Sequence, residues 1–108
     1  IDADTKARLE NGQILMEVLK QPQYQPLKVE DQVMIIYAAI NKYLTDIGVE
    51  NVKAFEPYFL EFMSINHPGV GAGIKEVGKL TPEIEEELKA GIEESKAAFL
   101  KAKADGVL

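Results

Sequence analysis

Lys20-Gln21-Pro22-Gln23-Tyr24-Gln25-Pro26 (KQPQYQP) separates two apolar stretches of helical period. Pro22 and Pro26 end one helix and keep the next from starting early, because the residue before a proline is pushed out of the α region. Upstream, from about Asp4 to Lys20, the residues Ile14, Leu15, Val18 and Leu19 recur at i, i+1, i+4 and i+5, a stripe two residues wide. Downstream, from about Val29 to Leu44, the residues Val33, Ile36, Tyr37, Ile40 and Leu44 fall on one face. Met34, Ile35, Ala38 and Ala39 make much of the remaining surface apolar as well. A helix apolar nearly all round is expected to be central and buried. Two helices joined by a short, proline-stiffened connector set an all-α reading of the sequence.

The remaining segments extend that pattern. Asp2 or Asp4 is placed to cap the first helix, since a short carboxylate accepts from unpaired helix amides. Gly12 weakens the middle of that helix by about 1 kcal/mol relative to alanine, and a close backbone approach there is one reason to keep it. Glu30 and Asp31 complement the dipole of the second helix, and Gly48 breaks the chain. From Val49 to Asn66, the residues Val52, Phe55, Phe59, Phe62 and Met63 keep helical spacing around Pro57. An interior proline costs about 3 kcal/mol, so a kink or two short helices meeting at Glu56 are expected. After the break at His67-Pro68-Gly69, a short, poor helix is expected from Val70 to Val77, with Gly78 as its cap. Thr81 and Pro82 start a last helix with Ile84, Leu88, Ile92, Ser95 and Phe99 inward, an outer Glu85–Lys89 pair, and a fraying tail after Phe99. No convincing alternating run and no internal repeat interrupts this. The expected fold is a compact all-α bundle of four to five helices with short connections, one domain over residues 1–108.

Composition narrows the function. The 108 residues carry net charge −6, a surface that repels phosphate backbones and anionic lipid and argues against nucleic-acid binding. There is no cysteine, so thiol chemistry, disulfides and thiolate metal sites are absent. The longest apolar run, Val33 to Ile40, falls far short of the roughly 20 residues that span a bilayer, so no direct membrane insertion is expected.

Each candidate for chemistry has a plainer reading. His67 is the single histidine, and without a second ligand at helix or turn spacing it reads as a surface residue. Gly69-Val70-Gly71-Ala72-Gly73 resembles a phosphate loop only superficially. A dinucleotide fingerprint needs a glycine where Glu76 stands, and a P-loop needs Gly-Lys followed by a hydroxyl residue; a flexible loop is the simpler reading. Glu83, Glu85, Glu86 and Glu87 read as a solvated helix start. Tyr37, Tyr43, Phe55, Phe59 and Phe62 read as core. The connector is different. Glutamine amides carry donor and acceptor together, so they suit a purine edge, and the prolines hold them in place at low entropic cost. A solvated interhelix turn remains the plain alternative.

The run from Gly12-Gln13 through Leu19-Lys20-Gln21-Pro22-Gln23-Tyr24, Pro26-Leu27, Glu30-Asp31-Gln32-Val33 and Ile36-Tyr37-Ala38 resembles the C-terminal helical domain of ATP synthase alpha subunits. The similarity continues through Tyr43-Leu44, Phe55-Glu56, Asn66-His67-Pro68 and Gly78-Lys79-Leu80 and covers essentially all 108 residues. The resemblance implies that Gln21 and Gln23 lie against the adenine of a nucleotide in a non-catalytic site, whose phosphate loop and magnesium ligands belong to another domain. It therefore implies no catalytic residue and no cofactor held by these residues alone, with ATP or ADP and magnesium bound only in the intact subunit. It also implies a place in a ring of alpha and beta subunits around a rotating gamma shaft, in a proton-translocating complex on the inner, cytoplasmic face of a bacterial cell membrane. The amino end, Ile1-Asp2-Ala3-Asp4, matches the turn of a hairpin facing that shaft, so Asp2 and Asp4 are the expected rotor-facing residues. The Ile1 start is read as a cut through that hairpin, which would uncover part of the apolar face of residues 9–19 and favour self-association. Lys28 departs from the serine or threonine expected there, so the second helix lacks its usual cap. Gly69, Gly71 and Gly73 replace a helix richer in Glu, Ile and Leu. The alternative is a free-standing helical interaction module with no nucleotide role.

Overall fold

Asp2 opens the first helix by accepting the Thr5 amide on Oδ1 at 2.7 Å, so Asp2 rather than Asp4 is the cap. In the computed structural model, which describes residues 1–20 and 26–108, five helices follow: α1 Ala3–Leu19, α2 Val29–Ile40, α3 Val49–Asn66, α4 Pro68–Val77 and α5 Pro82–Ala104. No strand occurs among the described residues. The fold is the expected all-α bundle, with five helices where four to five were expected.

The central helix is α3, which packs against all four others. Val52, Phe55, Phe59 and Met63 are buried along it. Phe55 stacks on Phe59 with centroids 5.7 Å apart and meets Phe99 of α5 edge-on at 5.2 Å, while Tyr58 meets Phe99 edge-on at 5.4 Å. Offset and edge contacts of this kind add to the energy of burial. Pro57 does not divide α3 into two helices. It removes only the bond to the Lys53 carbonyl, and both Pro57 and Lys53 are exposed, so water can take that carbonyl.

α2 is not the central helix, and its inner face differs from the expected one. Met34, Ile35, Ala38 and Ala39 are buried, whereas Ile40 is 60% exposed and Val33, Ile36 and Tyr37 are half-buried. With apolar residues on every side, periodicity could not choose the face; the packing of α1, α3 and α4 does. α2 also stops at Ile40 and not at Leu44. Lys42 adopts φ 65°, the Tyr43 amide bonds back to the Ala38 carbonyl at 2.9 Å, and the Lys42 amide to that of Ala39 at 3.2 Å. This is a Schellman ending with lysine in the left-handed position. Leu44 and Ile47 are still buried, but from the turns that follow. As expected at Lys28, no side chain caps the start of α2.

α4 forms as anticipated, with Gly78 in its left-handed cap, so the glycine-rich stretch is helix and not loop. α5 buries Leu88, Ile92, Ser95 and Phe99, with Ile84 half-buried, and Thr81 accepts the Ile84 amide at 3.2 Å. Its tail does not fray at Phe99. Gly106 takes φ 74°, Val107 bonds back to the Ala102 carbonyl at 2.9 Å, Gly106 to Lys103 at 3.1 Å, and Lys101 pairs with Asp105 at 2.8 Å. A Schellman cap thus satisfies carbonyls that a frayed end would leave to water. Close approach of α5 to α3 depends on Gly91, not Gly12. A Cβ at Gly91 would run into the Met63 side chain, while the open side of Gly12 has nothing within 4 Å.

Candidate functional site

The corner between α1 and α2 is walled by α3. Lys20 leaves the helical conformation at φ −71°, ψ 123°, which ends α1. Gln21 and Gln23, the residues expected to meet a nucleobase, lie with Pro22, Tyr24 and Gln25 outside the described residues. The Lys53 ammonium of α3 donates to the Lys20 carbonyl at 2.9 Å and reaches Glu56 Oε2 at 3.5 Å. On the far side, Gln32 Nε2 donates to the Leu27 carbonyl at 2.8 Å, fixing the backbone as it enters α2. Leu27, Lys53, Glu56, Pro57 and Leu60 line a hollow of about 490 Å³ beside this corner.

Glu56 is the anomalous group there. Its side chain is 12% exposed, and Oε1 is buried with no hydrogen-bond partner among the described residues. Burial pushes its carboxyl above the usual range, and Lys53 only partly offsets this. A buried acceptor without a donor is costly, typically about 1–3 kcal/mol, so its presence at the wall of the corner is a signature of a site as much as of packing. Neither Lys53 nor Glu56 was singled out for chemistry from the sequence. The available signal was their i,i+3 spacing on an otherwise aromatic helix, beside Pro57.

Asp2 and Asp4 sit at the other end of α1. Seventeen residues of helix place them about 25 Å from the corner. Asp2 spends its carboxylate on the cap; hydrogen bonding to Thr5 holds that carboxyl below its ordinary value. Asp4 lies exposed in the first turn. The two sequence-derived sites are therefore separate features and not one constellation.

Elsewhere the plain readings hold in part. His67 is not simply a surface residue. Its side chain is 16% exposed and lies between two α5 carboxylates, Nδ1 to Glu87 at 3.2 Å and Nε2 to Glu94 at 2.6 Å. Hydrogen bonding to Glu94 is the main cause of a raised His67 pKa, against the opposing effect of burial. The acidic run does not stay solvated throughout. Glu87 engages His67, and Glu85 accepts from the Tyr37 hydroxyl at 2.7 Å, tying α5 to α2. The expected Glu85–Lys89 pair is replaced by Glu86–Lys89 at 3.6 Å. Phe55 and Phe59 are buried, while Tyr37, Tyr43 and Phe62 are half-buried against the core. One ion pair had no sequence signal: Lys96, 9% exposed, reaches Asp46 at 2.8 Å and lies 5.8 Å from the Tyr43 ring centroid, anchoring α5 to the turns after α2. Among the described residues, no group of His, Asp and Glu is arranged to hold a metal ion, and no helix is long and apolar enough to cross a membrane.

Comparison with known proteins identifies the scaffold. Residues 1–95 match the family described as "ATP synthase alpha/beta chain, C terminal domain". The sequence is 45% identical over 100 residues to "ATP synthase subunit alpha" of Clostridium kluyveri, a match covering 93% of this protein and 20% of that one. It is 47% identical over 100 residues, with the same coverage of each, to "ATP synthase subunit alpha" of Clostridium botulinum strain Eklund 17B. The 108 residues thus span about a fifth of the length of these relatives. With five helices built around α3, a corner between α1 and α2, and nearly the whole sequence matched, the protein belongs to the family of C-terminal domains of ATP synthase alpha and beta subunits.

Proposed function

We propose that this protein acts as the non-catalytic C-terminal helical domain of an alpha subunit in a bacterial rotary, proton-translocating ATP synthase. In that reading it packs in a ring with beta subunits around the gamma shaft, on the cytoplasmic face of the cell membrane. Asp2 and Asp4 at the start of α1 face the shaft. The corner between α1 and α2 contributes Gln21 and Gln23 to the adenine of a nucleotide whose phosphates and magnesium are held by another part of the subunit. Catalysis resides elsewhere in the complex.

The observation that carries this reading is the pairing of the KQPQY sequence with its placement, between the end of α1 at Leu19 and the start of α2 at Val29, in a protein similar to alpha subunits. The hollow lined by Leu27, Lys53, Glu56, Pro57 and Leu60 supports it by offering a partly polar, partly apolar wall near Lys20 and Leu27, which flank the connector in sequence. An amide can donate to one purine nitrogen and accept from the exocyclic amine, which selects the base without gripping phosphate. The domain alone should therefore bind ATP undetectably in a calorimetric titration, and micromolar affinity for the isolated domain would overturn the division of labour. In an alpha subunit carrying this domain, Gln21→Ala with Gln23→Ala should weaken adenine-nucleotide retention at the non-catalytic site and leave the fold intact. Unchanged retention would remove the adenine role.

A further inference from the structure

We propose that Lys53 of α3 and Gln32 of α2 are positioning residues that hold the two ends of the connector, and that base selectivity depends on them; this rests on the adenine role proposed for Gln21 and Gln23. α1 has no basic residue in its last turn. The last carbonyls of a helix lack intrahelical partners and form the negative end of its dipole. Lys53 meets that need from another helix. Its ammonium donates to the carbonyl of Lys20, the C-cap of α1, at 2.9 Å across 33 positions of sequence. Glu56 Oε2, one turn along α3, draws the same ammonium at 3.5 Å, and its own side chain is only 12% exposed, so the partner that aims Lys53 is itself held by packing.

The other end is tied to a different helix. Gln32 Nε2 donates to the Leu27 carbonyl at 2.8 Å, just before the start of α2, which no side chain caps. Gln32 is half-buried, and Leu27 packs against the core. Both bonds run from a side chain to a backbone oxygen, so they fix where the chain leaves α1 and where it enters α2. A segment with fixed ends and two prolines has fewer conformations to lose when a ligand docks, and affinity rises by that amount. The gain falls on the base and not on the phosphates. Adenine offers an acceptor ring nitrogen beside a donor amine, and guanine presents the reverse pair on the same edge. An amide carries both functions and suits either base when free to turn, so it discriminates only when held in place.

Competition between magnesium-ATP and magnesium-GTP for the non-catalytic site, in an intact alpha subunit carrying this domain within its complex, tests this. Lys53→Met and Gln32→Met keep an unbranched chain and lose the donor. Each should lower the preference for ATP over GTP by about fivefold, the effect of one net hydrogen bond, with GTP affinity unchanged. Lys53→Arg keeps a donor and should retain most of the preference. Gln21→Ala with Gln23→Ala should itself lower the preference, and adding either methionine change to it should lower it no further, because residues that act through one another are not additive. If the glutamine variant loses the preference while either methionine variant keeps it, the brace is wrong and the adenine role stands. If the glutamine variant keeps the preference, both are wrong. Equal loss of ATP and GTP affinity would show a merely structural role, a further loss in the combined variants would show an independent route, and loss in Lys53→Arg would show that the donor is not what matters; each would overturn the proposal.

Discussion

Glu56 shows how a single side chain can oppose the stability of its own fold. One carboxylate oxygen meets Lys53 at 3.5 Å, while the other is buried without a donor among the described residues. An acid whose folded pKa lies above its unfolded value binds protons more tightly in the native state. Its penalty is absent while it is protonated in both states, grows as pH rises through the unfolded value near 4.5, and is complete above the raised folded value. Glu56→Gln should therefore stabilise the domain at neutral pH by about 1 kcal/mol and have little effect below pH 4.5. Urea unfolding at the two pH values measures this, and an equal effect at both would show that the cost is steric and not electrostatic. The same residue shows what is hidden in sequence. Its spacing from Lys53 is visible, but that one of its oxygens is buried without a partner among the described residues follows only from the tertiary packing.

At the scale of elements, His67 joins three helices. It ends α3, starts α4, and is held by Glu87 and Glu94 of α5. Because its folded pKa is raised, the stabilisation it adds is fully present below the unfolded value of 6.5 and is lost as pH rises through the folded value. His67→Gln should lower stability by about 1 kcal/mol near pH 5.5, with half-exposed carboxylates limiting the gain, and by much less near pH 8.5. Thermal melts of parent and variant across that range check it; a difference independent of pH would mean that the ring acts only through packing. The helix limits themselves were largely readable in the sequence. Asp2, Thr81-Pro82 and Gly78 signal starts and a stop that the structure keeps. The failures lie where a local rule had a tertiary or capping competitor. Lys42 takes a left-handed conformation usually left to glycine, which ends α2 a turn early, and Gly106 extends α5 beyond Phe99.

For the molecule as a whole, stability concentrates where α3 crosses α5. Phe55, Phe59 and Phe99 are each at most 1% exposed and share ring contacts, so they form one packed unit and not three independent side chains. Phe55→Ala should cost about 3–5 kcal/mol, a large fraction of the roughly 5–15 kcal/mol available to a domain of this size. A shift in the denaturation midpoint measures it, and a loss below 1 kcal/mol would mean that the neighbouring rings close the cavity.

The amino-acid sequence by itself determined the helical class, most helix boundaries, the inner face of α5, and the connector that carries the family resemblance. These follow from periodicity, caps and proline, which act within one or two turns of backbone. Only the tertiary structure decided that α3 and not α2 is central, which side of α2 is buried, that Pro57 sits in one unbroken helix, and that His67 lies between Glu87 and Glu94. Those outcomes depend on residues tens of positions apart meeting at a few ångströms, and no local propensity can specify which of several apolar faces a distant helix will cover.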